Sequence, residues 1–171
     1  MKIRAFVLLV VSFFFAAVAC APQAAQSQNP VGLGVSFGLA DASGSTPNIA
    51  NPGGTSSFNW GFYVDIPLIY TFHITPSSEL YMIQGYNATD IDLAFKFFIP
   101  LSGFALYAGF APGLTAVTSV LDPHVGVLVG ATFQLVSNLD LFLQGKYNIV
   151  FDGGENMTVI HANAGILFKF Q

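Results

Sequence analysis

The chain has 171 residues, of which 53% are hydrophobic, 15% aromatic and only 8% charged. A water-soluble domain carries about 25% charged residues, so we expect most of this surface to face a medium other than water. Removal of the first nineteen residues would leave three lysines against nine acidic residues, a formal charge of −6. Nothing basic then remains to follow a phosphate backbone, which excludes nucleic-acid binding.

The amino terminus has the pattern of a secretory signal peptide. Lys2 and Arg4 precede an apolar run that ends in small residues. The run is shorter than the roughly twenty residues that a membrane-spanning helix needs, and a polar segment follows it. We therefore assign residues 1–19 to a cleaved signal peptide and predict export. Residues 20–30, rich in Ala, Gln and Pro, form a predicted disordered spacer.

Cys20 is the only cysteine of the chain, so an internal disulfide is excluded. The residues before it, Ala17-Val18-Ala19, resemble a loose bacterial lipobox, although Ala17 stands where Leu is usual. Lipidation of Cys20 and an unmodified thiol are both open alternatives.

Residues 31–171 form one predicted domain, because no linker or charge run divides them. Polar and apolar residues alternate with a period of two along most of this domain, which indicates strands, since a helix would mix the two kinds. The apolar stretch Leu93 to Val117, long enough for a spanning helix, divides in this way into two strands around a turn at Pro100–Gly103. The predicted strands are roughly 31–41, 57–66, 68–75, 89–99, 103–115, 124–136, 139–151 and 157–170.

Tight turns are predicted at Pro67-Leu68, at Pro100–Gly103 and at Ser137-Asn138, and longer loops alternate with them, the two longest of about sixteen residues. This alternation is typical of the periplasmic and extracellular ends of an outer-membrane barrel. We therefore predict an all-β fold, an eight-stranded antiparallel transmembrane up-and-down β-barrel that is apolar outside and polar inside. The charged strand residues all fall on the predicted inner side: Asp65, Asp92, Lys96, Asp140, Lys146, Asp152 and Lys169.

The chain ends in GILFKFQ, whose alternating apolar residues closing on Phe170 resemble the assembly signal of bacterial outer-membrane barrels. Gln171 departs from the usual final aromatic residue. With eight strands, the chain resembles the small outer-membrane barrel superfamily typified by the OmpA membrane domain, OmpX and OmpW. The resemblance implies a place in the bacterial outer membrane, contact with its lipid and lipopolysaccharide, and recognition of the last strand by the barrel-insertion machinery.

The interior of the barrel carries two predicted features. Glycines on the inner faces of strands one, five and six leave room for a cavity, and Pro112, which removes a ladder donor, is a candidate lateral gap. We expect Tyr63, Phe98, Phe142 and Leu167 to plug the middle, leaving at most a pocket near Pro112 on the extracellular half. An interior ion-pair network is expected near the periplasmic end, because unpaired buried charges are costly: Asp65, Lys96, Asp140 and Lys169.

No catalytic, cofactor or metal site is predicted. His161-Ala162-Asn163 resembles the His-x-Ser arrangement of outer-membrane lipid hydrolases, but Asn163 replaces the nucleophile. His73 and His124 have no partner at metal-ligand spacing along the sequence. Three functions compete: a structural and surface-interaction barrel with a largely filled lumen, OmpW-like binding or passage of a small hydrophobic molecule, and a lipid-modifying enzyme. We expect the first, and no enzymatic activity.

Overall fold

The computed structural model describes residues 30–44, 55–83, 86–117, 120–151 and 156–170. Each strand pairs antiparallel with its neighbours in the chain, and the first pairs with the last, so the sheet closes into a barrel. The predicted fold class is confirmed. The eight strands are β1 Val31–Gly44, β2 Thr55–Ile69, β3 Phe72–Ile83, β4 Tyr86–Leu101, β5 Phe104–Val117, β6 Val120–Val136, β7 Leu139–Phe151 and β8 Asn156–Phe170.

The predicted signal peptide, residues 20–29 of the spacer with Cys20, and Asp152 lie outside the described residues. The described part of the chain contains no helix long and apolar enough to span a membrane.

The two-residue alternation decides which side chains point outward. On β7, Leu143 is 47% exposed, whereas its neighbours Phe142 and Gln144 are buried. Soluble monomers rarely carry large contiguous apolar surfaces, so this outer face is unlike that of a soluble protein. The outer face carries many large apolar side chains, among them Phe37, Leu39, Phe58, Trp60, Phe62, Phe97, Ile99, Phe110, Val127, Val129, Leu143, Ile166 and Phe168.

Three two-residue turns lie at the same end of the barrel as the start of β1 and the end of β8. We call this the turn end, and the opposite end the loop end. Gly103, in the turn between β4 and β5, has a φ of +86°, a conformation that glycine adopts without steric cost. The other two turns are at 70–71 and 137–138. The connections at the loop end lie outside the described residues.

The predicted boundaries of β3 are wrong. Strand β2 continues through Pro67 to Ile69, and a shift of register between these residues accommodates the proline. The turn therefore falls at 70–71, and β3 runs to Ile83 instead of ending at residue 75. The segment predicted as a loop of about sixteen residues is mostly strand, and only 84–85 separate β3 from β4. The error matters for function, because it placed Glu79 in a predicted loop, whereas the residue points into the barrel.

Candidate functional site

A cluster of six charged or titratable side chains lies inside the barrel, and each is at most 4% exposed. The alternation of β3, β4, β6, β7 and β8 turns these side chains inward, and closure of the barrel brings them together. We call this group the central cluster: Glu79, Asp90, Asp92, His124, Lys146 and His161.

Lys146 contacts all three acidic residues of the central cluster. Its Nζ lies 2.9 Å from Glu79 Oε2, 2.7 Å from Asp92 Oδ2 and 3.7 Å from Asp90 Oδ2. One ammonium balances only one of three carboxylates. Because an unbalanced buried charge is costly, the remaining compensation must come from other groups in the cluster.

His124 supplies one of these positive charges, because its hydrogen bonds require a proton on both ring nitrogens. Nε2 lies 2.6 Å from Asp92 Oδ1, and a carboxylate can only accept. Nδ1 lies 2.8 Å from Thr115 Oγ1, and that hydroxyl gives its single proton to Asp90 Oδ1 at 2.8 Å. The hydroxyl must therefore accept from Nδ1, so both nitrogens of His124 donate and the ring is an imidazolium.

His161 lies between two carboxylates. Its Nδ1 is 3.1 Å from Glu79 Oε2, and its Nε2 is 3.3 Å from Asp90 Oδ2. The side-chain amide nitrogen of Asn59 lies 2.9 Å from Nδ1. Rotation of that amide by 180° would place its oxygen there instead, and this oxygen has no hydrogen-bond partner among the described residues. His161 therefore lies within ion-pair distance of two of the three carboxylates, although its Nε2 makes no hydrogen bond to the part of the chain that the structure describes.

Two groupings in the central cluster resemble metal sites. Glu79, Asp90 and His161 form one, Asp90, Asp92 and His124 the other, with ligand atoms within 4.8 Å of one another. The sequence prediction overlooked both groupings, because their members lie on different strands. The Lys146 ammonium already contacts carboxylates of both sets, and His124 has no lone pair free for a metal. The arrangement fits an ion-paired cluster better than a metal centre.

His161 and Asn163 both point into the barrel, and both are buried. The amide nitrogen of Asn163 lies 3.2 Å from the hydroxyl of Tyr63 and 3.2 Å from Glu79 Oε1. The Tyr63 hydroxyl donates a short hydrogen bond to the same carboxylate. These two positions of the His-x-Ser-like motif thus take part in the packing of the central cluster.

The four charged residues predicted as one network near the turn end are distributed among separate contacts. Lys169 Nζ lies 2.7 Å from Asp140 Oδ2. Asp65, by contrast, accepts a hydrogen bond from His73 Nδ1 at 2.7 Å. His73 lies on β3, the strand whose boundaries were predicted wrongly. Among the described residues, every lysine ion pair within 4.0 Å involves Lys146 or Lys169, so Lys96 does not pair with Asp65 as predicted.

A cavity of about 190 Å³ opens at the turn end, and we call it the vestibule. Lys96 and Tyr107 border it, together with Phe98, Phe142 and Leu167. The predicted pocket was instead near Pro112 on the opposite half, and that location is wrong for this cavity.

Pro112 faces outward and does not line the vestibule. The register of β5 with β4 is the same on either side of it, from Asp92 opposite Gly113 to Phe95 opposite Phe110. The pairing with β4 is interrupted at Ala111 and Pro112, whereas the pairing with β6 continues through Pro112 opposite Val125. The candidate lateral gap is thus a local break in one ladder without a change of register, and an opening there stays a prediction.

The inward glycines make room for side chains of neighbouring strands. A Cβ added at Gly32 would lie 2.8 Å from Leu167 Cγ, and one at Gly165 would overlap the ring of Phe142. The same close approach occurs between Gly130 and the ring of Tyr107. Bulky side chains thus occupy the space beside these glycines, whereas Phe142 and Leu167, which we expected to plug the middle of the barrel, also line the vestibule.

No known protein-family profile matches the chain, and no curated protein matches it. Among solved structures, Neisserial surface protein A is similar, with 16% identity and a TM-score of 0.66 over 82% of this chain and 97% of that one. The N-terminal β-barrel domain of Pseudomonas aeruginosa OprF gives 15% identity and 0.54 over 85% and 100%. The outer membrane protein OprG of Pseudomonas aeruginosa gives 13% and 0.53 over 85% and 99%. The chain therefore has the fold of small outer-membrane barrels, which confirms the expected resemblance at the level of fold.

Proposed function

We propose that the chain is an integral protein of the bacterial outer membrane, with a structural and surface-interaction role and a largely filled lumen. One observation carries the proposal: the barrel is apolar outside and charged inside. Val127 on the outer face is 61% exposed, whereas the next residue, Leu128, points inward and its partner on β7 is the buried Lys146. An apolar surface of this kind is unfavourable in water and suits lipid, and a closed barrel leaves no unpaired strand edge there.

The central cluster supports a filled lumen over a conduit. A solute that crossed the barrel would have to separate Lys146 from Glu79 and Asp92, leaving buried charges unpaired at a cost of several kcal/mol. Several of the glycines that could have left a channel lie against bulky side chains, Gly32 and Gly34 against Leu167 and Gly130 against Tyr107. Passage of a small hydrophobic molecule, as in the OmpW-like alternative, finds no support in the charged centre of this barrel.

The same cluster supports a non-enzymatic role. His161 is fully buried among carboxylates of the cluster, where a lipid substrate on the outer face cannot reach it. Asn163 offers no nucleophile in place of the serine of lipid hydrolases. Modification of lipid is therefore not part of the proposed function.

The proposed partners are outer-membrane lipid and lipopolysaccharide on the outer face and the insertion machinery at the last strand. Phe168 and Phe170 of β8 point outward and are exposed, which agrees with recognition of this strand during assembly. Export through residues 1–19 is part of the same proposal, and labelling with palmitate decides between lipidation of Cys20 and an unmodified thiol.

The experiment is expression of the full chain in a Gram-negative host, followed by separation of inner and outer membranes. We expect the protein in the outer-membrane fraction, migrating faster unheated than boiled, as closed barrels do. Labelled palmitate should enter the wild type and not Cys20→Ser if Cys20 is lipidated. Recovery in the soluble or inner-membrane fraction, with no heat-dependent mobility, would contradict the proposal.

A further inference from the structure

Lys96 is buried without a carboxylate partner. Its side chain is 6% exposed, and the ion pairs of the described lysines involve only Lys146 and Lys169. Its Nζ instead lies 4.9 Å from the ring centroid of Tyr107 and 5.7 Å from that of Tyr63. Two cation–π contacts recover only part of the free energy that an ammonium loses on leaving water. An anionic partner would stabilise this ammonium further.

This ammonium borders the vestibule at its inner side. Lys96 also lines a smaller void next to Asp92 and Lys146, whereas the vestibule extends outward to the exposed Tyr70. A molecule that entered from the turn end would therefore meet Lys96 at the bottom of the cavity.

The other charged groups at the vestibule already have partners. Asp65 accepts from His73 at 2.7 Å and from Thr75 at 2.8 Å, and Asp140 pairs with Lys169 at 2.7 Å. Lys96 is thus the charged group of the vestibule, among the described residues, whose charge no ion pair compensates.

The walls of the vestibule are partly apolar, although His73, the partner of Lys96 on β3, and Asp65 also line it. Phe98, Phe142 and Leu167 contribute side chains, while the hydroxyl of Tyr107 turns away to Gln144 Oε1 at 3.2 Å. An apolar cavity of about 150 Å³ is known to hold benzene. The vestibule, at about 190 Å³, has room for a ring of that size with one carboxylate.

We infer that the vestibule binds a small organic anion, whose carboxylate pairs with Lys96 and whose flat apolar body packs against Phe98, Phe142 and Leu167. A strongly hydrated inorganic anion fits less well, because it would lose its water against apolar walls. The inference goes beyond the proposed function and does not depend on it, since it concerns only the turn end of the barrel.

The test uses the barrel refolded in a zwitterionic detergent and titrated with benzoate, with the methyl and aromatic signals of the vestibule followed by NMR. We expect saturable shifts at Leu167 and Phe142. The neutral isostere benzamide should bind at least about tenfold more weakly, because it cannot pair with the ammonium.

Two variants test whether the ammonium of Lys96 is the group that pairs with the carboxylate of benzoate. Lys96→Met keeps an unbranched side chain and should weaken benzoate binding at least about tenfold. The double variant Lys169→Met, Asp140→Asn, which removes an existing ion pair of the vestibule without changing its net charge, should keep the affinity within about twofold of the wild type.

Three results would overturn the inference. Benzoate that causes no saturable shift shows that there is no site, and equal binding of benzoate and benzamide shows an apolar site without an anion subsite. Inorganic phosphate that binds as tightly as benzoate shows a general anion site. If Lys96→Met does not refold, the comparison of benzoate with benzamide on the wild type decides alone.

Discussion

Replacement of Lys146 by methionine should be among the most damaging single changes in the barrel. The side chain is 4% exposed, and its ammonium lies within 3.0 Å of two carboxylate oxygens, on Glu79 and Asp92. Removal of one partner from a buried ion pair costs about 3–5 kcal/mol, because the other charge stays buried and unpaired. We expect the free energy of unfolding of Lys146→Met to fall by about that amount.

The measurement is urea-induced unfolding of the barrel refolded in lipid vesicles, followed by tryptophan fluorescence and by heat-dependent gel mobility. Lys169→Met is the matched control, since it breaks a 2.7 Å pair whose lysine side chain is 25% exposed. Because the Lys169 ammonium is partly solvated and only one carboxylate is left unpaired, this change should cost less than Lys146→Met. The double variant Lys146→Met, Asp92→Asn removes one charge of each sign and should recover part of the loss.

Two results would refute this reasoning. If Lys146→Met and Lys169→Met lose the same stability, burial does not control the cost of an unpaired charge here. If the double variant is no more stable than Lys146→Met, charge balance does not hold the central cluster together.

The remaining predictions concern the outer face, the inner glycines and one histidine. Lysine at Val127, in the middle of β6, should lower the free energy of unfolding in vesicles by about 2–4 kcal/mol. Lysine at Leu135, near the turn end of the same face, should lower it by about 0–1 kcal/mol, and equal losses would contradict the orientation in the membrane. Gly130→Ala, whose Cβ would overlap a neighbouring ring, should destabilise the barrel by about 1–3 kcal/mol. Gly145→Ala, with nothing within 4 Å of the added Cβ, is its control and should leave the urea midpoint unchanged or raised. The ¹⁵N shifts of His124 at neutral pH should be those of an imidazolium, and the widely separated shifts of a neutral tautomer would disprove the double-donor assignment.

The sequence by itself determined the fold and the inner and outer sides of most strands. Side chains alternate across a strand with a period of two, so the positions of Lys146 and Asp140 opposite the leucines of β7 already place them inside. The same alternation puts Asp90 on the side of Asp92, a signal that the prediction left unused. Burial follows because an apolar outer face and a closed barrel leave polar side chains only the interior.

The extent of strand β3 could not be predicted from this alternation. Pro67 and Pro76 lie within strands, where proline is uncommon, and the serines beside Pro76 are typical of loops. The ladder accommodates both prolines, the first by a shift of register and the second opposite Leu93, and these are properties of the paired strands. Glu79 therefore became visible as an interior residue only in the structure.

The tertiary structure alone decided which interior groups are partners. Lys146 on β7 meets Glu79 on β3, and His124 on β6 meets Asp92 on β4, although neither pair is on neighbouring strands. In the structure, Lys96 also lies beside two tyrosine rings, and Asp65 contacts His73. The physical reason is that alternation along a strand fixes only the side to which a residue points. Contacts across the lumen depend on closure, strand tilt and register, which bring together residues far apart in the chain.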